Sequence, residues 1–189
     1  MTSITSIALA GFFLWTGGAT TSEWTTQVPA PAPKAQAAVS VRLTGYNAVP
    51  EQTDGNPDVT ASGARSNPYV IAARSQDLAG ELPFGTVIVL EMPEKNNSCG
   101  FELVDHLIGY RVIADAMHER KRNQVDVMFD ISDTVQIGVS GQARKATNPA
   151  VALGICDVSF RIVGKINIKD IPDTQRELAR LMNRTLALR

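Results

Sequence analysis

The sequence predicts an all-β fold: a compact barrel with short helices and one C-terminal amphipathic helix. Three features predict it. Short runs of alternating apolar and polar residues recur at close spacing, clusters of Gly, Pro, Asn, Asp and Ser punctuate them, and helical periodicity is sustained only at the C-terminus. At 189 residues with 44% hydrophobic content, the chain suits one domain with appendages. Lys plus Arg (18) nearly balances Asp plus Glu (19), for a net charge of -1. Overall charge therefore gives no reason to expect nucleic acid or an anionic membrane as partner, and neutral polymers or small molecules remain.

Residues 1–19 carry an apolar run from Ile7 to Trp15 followed by the small residues Gly17, Gly18 and Ala19. This is the pattern of a secretory signal cut after Ala19, or of a short uncut anchor, although no Lys or Arg precedes the run. The run falls short of the ~20 residues a spanning helix needs. An exported protein is expected, periplasmic or held at the cell envelope, with membrane contact only through that segment. Residues 20–38 contain Pro29-Ala30-Pro31-Ala32-Pro33 and too little apolar surface to fold, so they read as an extended tether. The barrel should then occupy 39–168, and the helix 169–189. Nothing in the sequence calls for an oligomer, and a monomer is expected.

Along the folded part, Val39, Val41 and Leu43 alternate with Ser40, Arg42 and Thr44 as a strand. Asn47 to Ser66 is loop, long enough to be functional. Tyr69 to Ala73 and Val87 to Leu90 are short strands, joined through a Leu82-Pro83-Phe84-Gly85-Thr86 turn. Phe101 to Val104 and Tyr110 to Ala114 are expected as a hairpin pair, and Ser132 to Val139 as a short helix capped by Ser132 or Asp133. Val158, Phe160 and Ile162 form a closing strand. Asp170-Ile171-Pro172-Asp173 opens the last helix, whose stripe of Leu178, Leu181, Met182 and Leu186 should dock on the domain. Cys99 and Cys156 are the only cysteines; in an exported protein an even pair suggests one disulfide, and in a cytosolic one two buried thiols.

Val112 to Asp130 is the stretch around which the chemistry gathers. Asp115 closes one apolar run. In the next, Val125, Val127 and Phe129 share one face and Asp126 and Met128 the other. Two carboxylates on neighbouring strands would meet in one cleft, where burial and mutual repulsion keep a proton on one of the pair. The alternative is that both only cap turns and pair with Arg120 or Arg122. No metal or other cofactor is expected: the two histidines, His106 and His118, show no metal-binding spacing. No GxSxG elbow occurs, and no histidine neighbours either cysteine in sequence.

Taken in order, Leu43-Thr44-Gly45-Tyr46-Asn47, Val59-Thr60-Ala61-Ser62-Gly63, Val70-Ile71-Ala72-Ala73, Leu82-Pro83-Phe84-Gly85-Thr86 and Ile113-Ala114-Asp115 to Asn123-Gln124-Val125-Asp126-Val127 resemble the three-aspartate (3D) domain over about residues 39–165. The resemblance implies a six-stranded double-psi β-barrel related to the catalytic domains of membrane-bound lytic transglycosylases. Those enzymes cleave the MurNAc–GlcNAc bond of peptidoglycan without water, leaving a 1,6-anhydro end. It further implies Asp115 as the catalytic acid/base with Asp126 beside it. Tyr46, Thr60, Ser62, Asp77, Arg120 and Arg122 are the expected contacts to a glycan strand: Tyr46, like Phe84, by stacking, Thr60 and Ser62 through hydroxyls, and the arginines through peptide carboxylates.

Two departures stand out. Where the family has a glycine-rich T-G-G-A-I after its aspartate, this chain has Ala116-Met117-His118-Glu119-Arg120. Where the first of the three aspartates normally follows the IA strand, Arg74-Ser75 stand, and Asp77 is the nearest carboxylate. A glycan-cutting enzyme, a glycan-binding module of the same fold and a structural envelope protein using the C-terminal helix are therefore the competing expectations.

Overall fold

The structure, a computed structural model, describes residues 39–53, 55–92, 99–138 and 145–187. The expected signal or anchor, the tether, the Asn96-Asn97-Ser98 stretch and Val139 lie outside them. The elements are β1 (Val39–Asn47), β2 (Ile71–Arg74), β3 (Thr86–Glu91), α1 (Phe101–Ile108), β4 (Tyr110–Ala116), β5 (Gln124–Phe129), β6 (Val135–Ile137), β7 (Lys145–Thr147), α2 (Pro149–Leu153), β8 (Cys156–Lys165) and α3 (Gln175–Ala187). Six strands close into a mixed barrel in the order β1-β5-β2-β4-β3-β8. The β1·β5 and β2·β4 pairs are parallel and the other barrel pairs antiparallel. β6 and β7 form a separate two-stranded ribbon.

The inner strands β2 to β5 bury both faces, whereas β1 and β8 alternate buried and exposed positions. Val41, Leu43, Ala72, Ile88, Ile113, Val125, Val127, Phe129, Val158 and Phe160 pack with Phe101, Val104 and Ile108 of α1 and Leu153 of α2. Ile71, Ala73, Val87, Val112, Ala114, Met128 and Val163 pack with Leu178 and Met182 of α3. Of the expected stripe on α3, Leu178 and Met182 dock on the barrel, whereas Leu181 stays exposed and the Leu186 side chain lies outside what is described. The Gln175 side chain completes the seat: it accepts from the Tyr110 N–H and donates to the carbonyls of Tyr69 and Tyr110.

Three local expectations are corrected. Phe101 to Val104 is not a strand but the start of α1, since Phe101, Val104 and Ile108 share one helical face while Glu102 and Asp105 face water. Ser132 to Ile137 is not helical: Asp130 Oδ1 accepts from both the N–H and the hydroxyl of Ser132, making a tight turn, and Val135–Ile137 pairs with β7. The last helix begins beyond Asp170-Ile171-Pro172-Asp173, where Thr174 Oγ1 accepts from Glu177 N–H and donates to Glu177 Oε2.

Two features hold the frame. Cys99 and Cys156 are bridged (S–S 2.03 Å), tying the N-terminal side of α1 to the start of β8. Gly85, in the turn before β3, has φ +87°, and a Cβ there would lie 2.2 Å from the Ile166 carbonyl oxygen. Only glycine lets this turn accept from Ile166 N–H while its own N–H donates to Ile113.

Candidate functional site

The barrel order sets β2 between β4 and β5, and one residue of β2, Ala73, is in register with Asp115 on one side and Asp126 on the other. The two aspartate backbones therefore stand two strand spacings apart, about 10 Å. Only a methyl group lies between them.

Asp115 reaches this position through a bulge. Ala72 pairs with Ile113 but Ala73 pairs with Asp115, so Ala114 is the extra residue on β4. Strict alternation would have sent Asp115 to the same face as Ile113; the bulge turns it to the face of Ala73. Three donors then converge on its carboxylate. The Tyr46 hydroxyl donates to Oδ2 at 2.7 Å, and the N–H groups of Ala61 and Ala116 each donate to Oδ1 at 2.9 Å. Ala61 is held in place because Ser62 N–H donates to the Ala114 carbonyl and Gly63 turns the loop with φ +83°. Burial first, then the Asp115 carboxylate, hold the Tyr46 phenol well above its ordinary pKa, so it remains a donor.

Asp126 is in a different environment. It is recessed on β5, and Thr44, its register partner on β1, donates to Oδ1 at 2.8 Å. Burial pushes its carboxyl up to about 6; the Thr44 hydroxyl and Lys121 pull it down and Asp115 adds to the rise. Asp126 therefore holds its proton to higher pH than an ordinary aspartate. Among the described residues neither aspartate takes part in an ion pair, with Arg120, Arg122 or any other cation.

Both open into a cleft of about 630 Å³ lined also by Tyr46, Gln52, Ala73, Gln76, Met117, His118, Lys121 and Met128. No protein-family model and no curated protein matches this chain. The chemistry of the cleft must therefore be argued from its own residues.

The other expected residues are placed unequally. Tyr46 lines the cleft but is only 7% exposed and is engaged with Asp115, so it forms wall rather than a stacking platform. Phe84 lies beneath the buried Arg74 guanidinium, 5.0 Å from ring centroid to Cζ, and packs on the core. Thr60 and Ser62 bond one another at 3.1 Å and pin their loop, and neither lines the cleft. Asp77 sits on a 3-10 turn just after β2, where the Ser75 hydroxyl and then the Asn123 N–H hold its carboxyl below the ordinary range. It caps that junction and does not line the cleft. The place after β2 where the family has an aspartate belongs to Arg74, which donates to the carbonyls of Leu82 and Ser75. Arg120 and Arg122 are exposed on the turn beside the cleft, and Arg122 donates to the carbonyls of Glu119 and Lys121. Of that turn, His118, Glu119 and Lys121 line the cleft, whereas His106 is on α1 beside Asp105.

Sequence reasoning missed Thr44, Gln124 and Gln52. Thr44 carried a usable signal, since its alternation against Val41 and Leu43 sets it on the polar face. Gln52 carried none, because it lies in an aperiodic loop and is fixed by accepting from Asn47 N–H at 2.9 Å.

Proposed function

We propose that this chain is a peptidoglycan-cleaving enzyme of the lytic transglycosylase type, exported to the cell envelope, its barrel a double-psi barrel of the three-aspartate kind. The observation that carries the reading is the pair of carboxylates flanking Ala73 at the floor of an open cleft, one of them raised by burial well above the ordinary carboxylate range. Protonated Asp126 donates to the glycosidic oxygen as the C1–O bond breaks, the C6 hydroxyl of the same sugar attacks C1, and the C6 proton returns to Asp126. Asp115, oriented by three donors, sets its side chain beside the sugar ring on which positive charge develops. This reading gives the acid/base role to Asp126, whose carboxyl burial raises, where the family resemblance puts it on Asp115. No water and no metal enters this sequence of bonds.

The test is incubation of the purified protein, alongside Asp126→Asn and Asp115→Asn, with isolated peptidoglycan, followed by mass spectrometry of soluble fragments. Anhydro-ended muropeptides from wild type alone are expected. Retention on insoluble wall with no soluble products would assign the chain to the glycan-binding class instead, and neither cutting nor binding would remove the glycan reading altogether.

A further inference from the structure

Asp126 Oδ1 accepts from Thr44 Oγ1 at 2.8 Å, and the same Thr44 oxygen accepts from Gln124 Nε2 at 2.7 Å. A threonine hydroxyl owns a single proton. With Gln124 donating to the oxygen, that proton has one place to go, which is Asp126. The chain Gln124 to Thr44 to Asp126 is therefore directional. Gln124 is itself immobilised: it is 3% exposed, its N–H donates to the Ser75 hydroxyl at 3.0 Å, and Ser75 N–H donates to its carbonyl at 2.9 Å.

We infer that Gln124 is a positioning residue which, through the Thr44 hydroxyl, reserves Oδ1 of Asp126 as an acceptor and leaves Oδ2 as the oxygen that carries the transferable proton. Syn and anti placement of a carboxylic proton, and the choice of oxygen, decide whether it can reach a substrate. Here that choice is made by a side chain that itself does not line the cleft. The same bond tunes Asp126, since a hydroxyl donating to the charged form favours it and limits how far burial raises the group. The other groups facing Asp126 are Asp115 on β4, Tyr46 on β1 and Lys121 on the turn before β5; His118, Glu119 and Glu51 stand elsewhere along the cleft. None of them is altered by the variants below.

The kinetic part of this inference rests on the glycan-cleaving reading, but the positional part does not, so the experiment reads both. The side-chain carboxyl of Asp126 would be titrated by carbon-detected NMR in the full chain and in Thr44→Val, Thr44→Ser, Gln124→Met and the Thr44→Val/Gln124→Met double variant. Thr44→Val is expected to move the midpoint alkaline by about one pH unit or more, the size of a lost hydrogen bond to a charged group. Thr44→Ser should restore it, Gln124→Met should move it in the same direction by less, and Gln124→Met should add nothing once Thr44 is Val. The basic limb of the kcat profile on glycan should shift alongside the midpoint. An unmoved midpoint in Thr44→Val, or equal effects of Gln124→Met with and without the threonine, would overturn the inference. If Thr44→Val fails to fold, Thr44→Ser and Gln124→Met still decide it through the same titration. If the protein cuts no glycan while the midpoints move as stated, the glycan reading fails and the positioning role stands.

Discussion

Arg111 and Asp115 stand four residues apart on β4, and each is a charged residue brought into the barrel. At Arg111 the side chain is fully buried and its N–H groups make five hydrogen bonds, to the carbonyls of Leu107, Ile108, Pro68, Ile71 and Met128. Burial pulls the guanidinium down from its ordinary value, yet the carbonyl cage keeps it a cation. It joins the end of α1 to β2 and β5, and its donors are consumed. At the other end of the strand, the bulge opens β4 toward a cleft, where Asp115 and Asp126 keep a face to ligand. A buried charge caged by carbonyls is a structural member; one that lines a cleft is available for chemistry.

The contrast can be broken most severely at the saturated end. Arg111→Leu removes five hydrogen bonds at once and leaves carbonyls of three elements without that donor, so a loss of more than about 4 kcal/mol is expected, enough to unfold the domain. Urea or thermal denaturation checks it; a variant that folds with near-normal stability would mean the cage is dispensable. In the cleft the same kind of change should act on activity rather than on the fold. Asp126→Asn is expected to lower glycan cleavage by about 10²–10⁴-fold. Wild-type cleavage should itself fall as pH rises through about 6.

The stability effect of Asp126 has a definite sign. The carboxyl is raised from 3.8 to about 6 on folding, so the folded state holds this proton more tightly than the unfolded chain. Its contribution is present in full below about pH 4 and is lost as pH rises to about 6. The Asp126 contribution should therefore drop across that window by on the order of 1–3 kcal/mol, against the opposite trend of Asp77 and Asp130, whose carboxyls are lowered. The part due to Asp126 should vanish in Asp126→Asn, which urea titrations at pH 4 and pH 7 would reveal.

Of similar size, replacing Cys99 and Cys156 together by serine should cost about 2–4 kcal/mol, from the loss of a cross-link spanning 57 residues. Denaturation in the presence and absence of reductant would measure it. The smallest effect is expected at Tyr46→Phe, which deletes one donor to Asp115. About 1–2 kcal/mol of stability and a partial loss of cleavage should follow, with the pH midpoint of Asp126 little changed. A full loss of cleavage would place Tyr46 in the chemistry rather than in the wall.

Sequence periodicity alone was sufficient for most barrel strands, because alternation and turn residues are local properties. It made Asp126 legible too, as the polar residue between Val125 and Val127. It failed at α1, whose first turn was read as a strand, and at Ser132 to Ile137, where the Asp130 turn outweighed helical propensity. It could not see the β4 bulge, since a bulge is defined by the partner strand and not by the bulged one.

What the sequence by itself determined was the class, an all-β chain with one docked C-terminal helix, and the residue types able to do acid/base work. Only the tertiary structure decided that Ala73 would separate Asp115 from Asp126, that Tyr46 and the Ala61 N–H would be spent on Asp115, and that burial would raise the carboxyl of Asp126. The physical reason is that side-chain chemistry is carried by each residue alone, whereas desolvation, register and the allocation of hydrogen bonds belong to pairs of segments far apart in sequence; Thr44 and Asp126 are 82 residues apart.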